Sequence, residues 1–195
     1  MPKLTLKEHV QGFEEVRYPK VVRNSKAYDQ TKRFILAEVQ RLLSLYEQLD
    51  AVDQTARLIR DGIDFWLRRA HGYNIEGDIG SHYRQRGVSA QDCDFEHVIP
   101  QAKIRDLLIQ GRITVHQAMN PPTCLIEKDL HRQLKDEGWA SRTPDMWNFW
   151  KRYTNVFEAE FETHNGVAVN TAVWDLGKHF EYFGVSDESN KTKKI

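Results

Sequence analysis

Residues 92–137 read DCDFEHVIPQAKIRDLLIQGRITVHQAMNPPTCLIEKDLHRQLKDE, and the order of elements in this stretch decides what the chain is built around. Cys93, Phe95, Val98 and Ile99 suit a short strand that stops at Pro100, which has no N–H to offer a ladder. Positions 103–110 have the apolar spacing of a short helix closed by Gly111. Thr114 caps a further turn over 115–119 before Asn120-Pro121-Pro122 forces extended backbone. Thr123 to Ile126 is apolar and of strand length, and 127–137 reads as a helix stopped by Gly138. The order is strand, helical insertion, strand, helix, with Glu96 and His97 adjacent at the exit of the first strand.

The flanks read as scaffold. Ile35, Val39, Leu42, Tyr46 and Leu49, then Val52, Ala56, Ile59, Ile63 and Trp66, follow one helix face, and the register slips between Leu49 and Val52. Asp50 and Asp53 offer capping oxygens at the slip, which favours two antiparallel helices; one dimerising coiled coil, and with it a homodimer, is the alternative. Residues 71–91 hold four glycines and read as an irregular connection with a short helix near 79–84. Thr143-Pro144 opens a helix whose stripe is Met146, Phe149, Trp150, Tyr153, Phe157 and Phe161, and a last helix is expected over 171–183. The expected fold class is therefore mostly α with a small β-hairpin. Its parts are a basic arm (1–33), a helical scaffold (34–91), the central module (92–138, insertion 103–119), C-terminal helices packed on the core (139–185) and a disordered basic tail (186–195).

With 195 residues, 40% of them apolar and 29% charged, no window approaches the ~18 apolar residues of a membrane-spanning helix. Cys93 and Cys124 are too few for a structural zinc knuckle. Lacking an apolar leader, the sequence points to a cytoplasmic protein whose two cysteines are thiols, neighbours across the hairpin. Net charge is zero, yet residues 17–33 set six cations against one carboxylate and interleave Tyr18 and Tyr28. Arg17, Lys20, Arg23 and Lys26 are thus candidates for tracking a phosphate backbone, with an ordinary solvated segment as the equal alternative. His9, His71, His82, His116, His164 and His179 lack a partner pattern and read as structural or exposed.

The run Glu96-His97-Val98-Ile99-Pro100-Gln101, then Asn120, then His131, resembles the HNH endonucleases, the ββα-metal or His-Me finger family, over about 46 residues. The resemblance implies a ββα-metal module embedded in the helical scaffold. It makes His97 the general base, Glu96 and His131 the metal ligands, and Asn120 the residue that braces the loop and orients the base. Glu127, one turn before His131, and Asp129 are alternative ligands, because Asn120 and His131 stand 11 positions apart.

The chemistry fits these residue types. A neutral imidazole takes a proton from water near neutral pH, while a carboxylate is the better ligand for a hard cation. One carboxylate and one imidazole, completed by phosphate and water, suit a single Mg²⁺, with Mn²⁺ or another transition metal as alternatives. Arg105, Lys128, Arg132 and Lys135 are candidate phosphate contacts, Arg84 and Arg86 weaker ones. The expected function is metal-dependent cleavage of DNA, with RNA as a further substrate class. The alternatives are a catalytically silent nucleic-acid-binding or assembly protein on the same scaffold, and a helical interaction protein in which the motif is coincidence.

Overall fold

The computed structural model describes residues 25–50, 53–72 and 80–185, with side chains from residue 30 onward. Helix α1 (Ser25–Tyr46) and helix α2 (Gln54–Ala70) form the expected hairpin. Ile35, Val39 and Leu42 pack on Ala56, Ile59, Ile63 and Leu67, all at most 9% exposed. Asp53 caps α2 by accepting the Thr55 N–H. The helices cross closely at Gly62, where an added Cβ would stand 3.3 Å from Leu42 Cδ1.

The rest of the molecule departs from the expected class: this is a mixed α/β protein. A five-stranded sheet runs β2-β3-β1-β4-β5, from β1 (Tyr83–Gln85), β2 (Cys93–His97), β3 (Thr123–Glu127), β4 (Phe161–Thr163) and β5 (Ala168–Val169). Strand β1 runs parallel to β3; the other pairs are antiparallel. Between β2 and β3 lie α3 (Gln101–Ile109) and α4 (Val115–Met119), where an insertion was expected, and α4 carries a full capping box from Thr114 and Gln117. Helix α5 (Lys128–Asp136) follows β3 directly and packs across both β2 and β3.

The largest corrections lie outside the central segment. The connection at 79–84 contributes strand β1 where a short helix was expected, and the helix expected from 143 to 161 shrinks to α6 (Lys151–Thr154). Asp145 accepts the N–H groups of Trp147 and Asn148 as in a turn, and the chain then enters β4. The aromatic stripe is buried all the same: Phe149, Trp150, Tyr153 and Phe161 gather near Tyr83 of β1. Helix α7 (Leu176–Tyr182) closes this cluster with Phe180 and His179.

Cys93 and Cys124 are both free, and they are not neighbours across the ladder. Cys93 pairs with Glu127 and Cys124 with Glu96, so the pleat sends the two thiols to opposite faces. Among the described residues no helix is long and apolar enough to cross a membrane. Arg17, Lys20 and Arg23 and the tail at 186–195 lie outside the described residues. Lys26 is placed in α1 by its backbone alone.

Candidate functional site

Strand β2 separates two environments. Its pleat puts Asp94 and Glu96 on the side covered by α5, and Phe95 and His97 on the other. On the first side His131, one face of α5, stands opposite both carboxylates. Its Nδ1 lies 2.8 Å from Asp94 Oδ2 and its Nε2 3.1 Å from Glu96 Oε2. The Asp94 bond lowers that carboxyl below its usual range and occupies Nδ1, which leaves Nε2 as the ring atom facing Glu96. Glu96 and His131 are each 14% exposed, so the pair sits at a shallow rim and not in the core.

The second oxygen of Glu96 is taken. Arg152, 1% exposed, places Nη2 2.6 Å from Glu96 Oε1. The same guanidinium donates to the carbonyls of Trp139, Ala140, His97 and Val98, at 2.9, 3.3, 2.6 and 3.2 Å. A buried guanidinium is tolerated only when it is paired and its donors are satisfied, and here they are. Arg152 thus fixes the main chain at the end of β2 and one oxygen of Glu96 together. Nothing in the sequence singled it out beyond being an arginine inside an aromatic run.

On the opposite side His97 faces the end of α2. Its Nε2 lies 2.8 Å from Nδ1 of His71, the residue that closes that helix, and His71 Nε2 lies 2.8 Å from the Ala118 carbonyl. Burial, with Arg68 and Arg152 adding to it, pushes His97 down to about 4; burial, then the neighbouring His97, pushes His71 down to about 3. Both imidazoles are therefore neutral at physiological pH. Asn120, 2% exposed, donates from Nδ2 to the His116 carbonyl and accepts at its own carbonyl from His179 Nε2, at 2.9 Å each. His179 Nδ1 in turn accepts from Tyr83 Oη at 2.7 Å, and Tyr83 Oη accepts from Trp174 Nε1 at 2.8 Å.

The four residues of the motif do not gather at one point. Glu96 and His131 meet; His97 turns to the other face of its strand. Asn120 braces the loop between α4 and β3 without touching His97. The contact on His97 comes instead from His71, itself held by the Ala118 carbonyl of α4, a histidine that no partner pattern in the sequence marks.

The expected phosphate contacts divide too. Arg105 is only 15% exposed and is bound to Asp106 at 2.9 Å and Asp64 at 3.7 Å, so it tethers α3 and leaves the phosphate list. Arg84 and Arg86 are engaged by Glu162 and Glu160. Lys128, Arg132 and Lys135 follow one exposed stripe of α5; Lys128 reaches the Gln91 carbonyl and Arg132 pairs with the exposed Asp129. Asp129 points to Arg132, and Glu127 sits beside Cys93 on the other face of the ladder from Glu96, so neither alternative ligand joins His131.

Among the described residues there is no cluster of three or more His, Cys, Asp or Glu side chains arranged to hold a metal. No family model, no curated protein and no solved structure matches the chain. The donor set available to a cation is thus one carboxylate oxygen and one imidazole nitrogen. Their 3.1 Å separation suits adjacent corners of an octahedron with metal–ligand distances of about 2.1 Å. An ion that keeps most of its water needs no more from the protein.

Proposed function

We propose that the protein is a metal-dependent endonuclease acting on DNA, with Glu96 and His131 holding one divalent cation and His97 serving as general base. The observation that carries this reading is the row Asp94–His131–Glu96. A histidine whose Nδ1–H is held by a carboxylate and whose Nε2 meets a second carboxylate 3.1 Å away has the orientation of a metal-ligating imidazole. The remaining positions suit water and phosphate oxygen, which makes Mg²⁺ the first expectation and Mn²⁺ the second.

When bound, the cation would neutralise charge growing on the scissile phosphate and the leaving oxygen. The residues do the rest. Arg152 holds Glu96 through Oε1 and leaves Oε2 for the cation. His97, neutral through burial, accepts the proton of the attacking water. Glu96 and His97 are consecutive at the end of β2 with side chains on opposite faces, so the reading requires the phosphodiester to cross the strand end to reach both. The exposed stripe of Lys128, Arg132 and Lys135 lies on the same helix as His131 and suits the flanking phosphates.

A silent nucleic-acid-binding protein is the competing reading, and one observation favours it: Arg152 already neutralises Glu96 at 2.6 Å. Purified protein with supercoiled, single-stranded and RNA substrates separates the two. The nuclease reading expects cutting with Mg²⁺ or Mn²⁺, none with EDTA, and loss of cutting but not of binding in His97→Ala. Salt-sensitive binding without cutting under any divalent ion would establish the alternative. Undiminished cutting by His97→Ala would remove the base assignment.

A further inference from the structure

We propose that His71 is a positioning residue that sets the tautomer of His97, holding its proton on Nε2 and leaving Nδ1 as the basic nitrogen; this rests on the nuclease reading above. The argument begins at Ala118. Its carbonyl lies in the last turn of α4, has no helical partner to come, and can only accept a hydrogen bond. The nitrogen facing it at 2.8 Å, His71 Nε2, must therefore carry hydrogen.

A neutral imidazole has one N–H, so His71 Nδ1 is left with a lone pair. The atom facing that lone pair at 2.8 Å is His97 Nε2, which must then be the donor. The proton of a neutral His97 is fixed at Nε2, and Nδ1 is its acceptor. Burial of His71 excludes the doubly protonated ring that would reverse this order. Among the described residues Nδ1 of His97 has no hydrogen-bond partner, and it is not fully buried. It is the atom where an attacking water can be met.

The device links distant parts of the chain. The end of α2, the inserted α4 and the strand end at His97 are joined through two hydrogen bonds, so the insertion determines which nitrogen of the base is free. Outer partners that fix the tautomer of a metal-bound histidine are worth about 10–100-fold in affinity or activity, and the same order is expected where the histidine is a base.

The test begins with the full-length, metal-free protein. Long-range ¹H–¹⁵N correlation spectra of the histidine rings report which nitrogen of His97 carries the proton. Nε2–H in the wild type and a mixture of tautomers in His71→Leu are expected, and Nδ1–H in the wild type overturns the proposal even if the variant fails to fold. In cleavage assays His71→Leu should lower kcat about 10–100-fold with KM little changed. His71→Gln, whose amide both accepts and donates, should recover part of the loss. Wild-type kcat in folded His71→Leu would overturn the positioning role. Absence of cleavage in the wild type, with Nε2–H observed, would overturn the nuclease reading and leave the tautomer assignment supported.

Discussion

The two faces of β2 solve opposite electrostatic problems with neighbouring residues. On the α5 side Asp94, Glu96, His131 and Arg152 are charged or charge-bound, and the pair facing outward is partly wet. On the α2 side His97 and His71 form a neutral chain that ends on the Ala118 carbonyl, and a second neutral chain runs from Asn120 through His179 to Tyr83 beside the start of β3. A rim of charges can exchange a proton or a counter-ion for a metal at little structural cost. Buried imidazoles cannot be charged without unmaking the contacts that place them. The first face is suited to holding an ion, the second to holding a proton acceptor in one orientation.

Acid should break the neutral histidine chains before the charged rim. Burial pushes His71 to about 3 and His179 to about 4, and pushes His82 down as well, whereas in the unfolded chain each titrates near 6.5. Above that pH neither state binds the proton and the stability is complete. As pH falls below it the unfolded chain takes up protons that the folded one refuses, until the folded histidines titrate near 4 and 3. At pH 5, His71 and His179 together cost about 4 kcal/mol, with His82 adding in the same direction, against a total stability of about 5–15 kcal/mol for a domain. Denaturant melts at pH 8 and pH 5 measure this; equal midpoints would show that these rings are not buried neutral. Next in size is His97→Ala, for which a lost general base predicts a drop of about 10²–10⁴ in kcat with metal binding retained. Loss of Mn²⁺ binding in that variant would mean that the two faces are not separate.

Legibility follows the same division. The α1–α2 hairpin was readable because each helix buries one side only, and the strand–insertion–strand–helix order was readable because Pro100, Gly111, Asn120-Pro121-Pro122 and Gly138 punctuate it. Strands β1, β4 and β5 were not, being two or three residues long and set by pairing with partners as far apart as Tyr83 and Thr163. The aromatic stripe at 146–161 shows how a core pattern can mislead. Phe149, Trp150, Tyr153 and Phe161 are buried at helical spacing, but the packing around Tyr83 is met by a turn, one helical turn and a strand. Glu96 and His131 were legible from the motif. His71 and Arg152 were not, because their partners lie 26 and 47 or 12 to 56 positions away and no local spacing marks them.

The first face is sharpened by Asp94→Asn. An amide still reaches His131 but brings no charge and presents either ring tautomer with a partner, so the orientation of Nε2 toward a cation is no longer enforced. Affinity for Mn²⁺, followed by calorimetry or by the loss of its free-ion resonance signal, should fall about 10–100-fold. Stability should move little, because Asp94 is 42% exposed in its side chain. Unchanged affinity would show that the bond to His131 Nδ1 does not prepare the ligand.

The smallest effect should come from the stripe on α5, and it distinguishes a phosphate contact from an ordinary surface charge. Among the described residues Arg132 pairs with Asp129, and both side chains are more than two-thirds exposed, at 70% and 77%, so the pair contributes about 0–1 kcal/mol to stability. Arg132→Ala therefore leaves the melting midpoint nearly unchanged. If the guanidinium neutralises one phosphate, the slope of log K against log salt for DNA binding becomes shallower by about 0.9, and affinity falls by a similar factor for every sequence tried. Arg105→Ala is the contrasting variant: its guanidinium is committed to Asp64 and Asp106 inside the protein, so it should lower stability and leave the salt slope alone. A change of slope in Arg105→Ala with none in Arg132→Ala would move the nucleic-acid surface from α5 to the inserted helices.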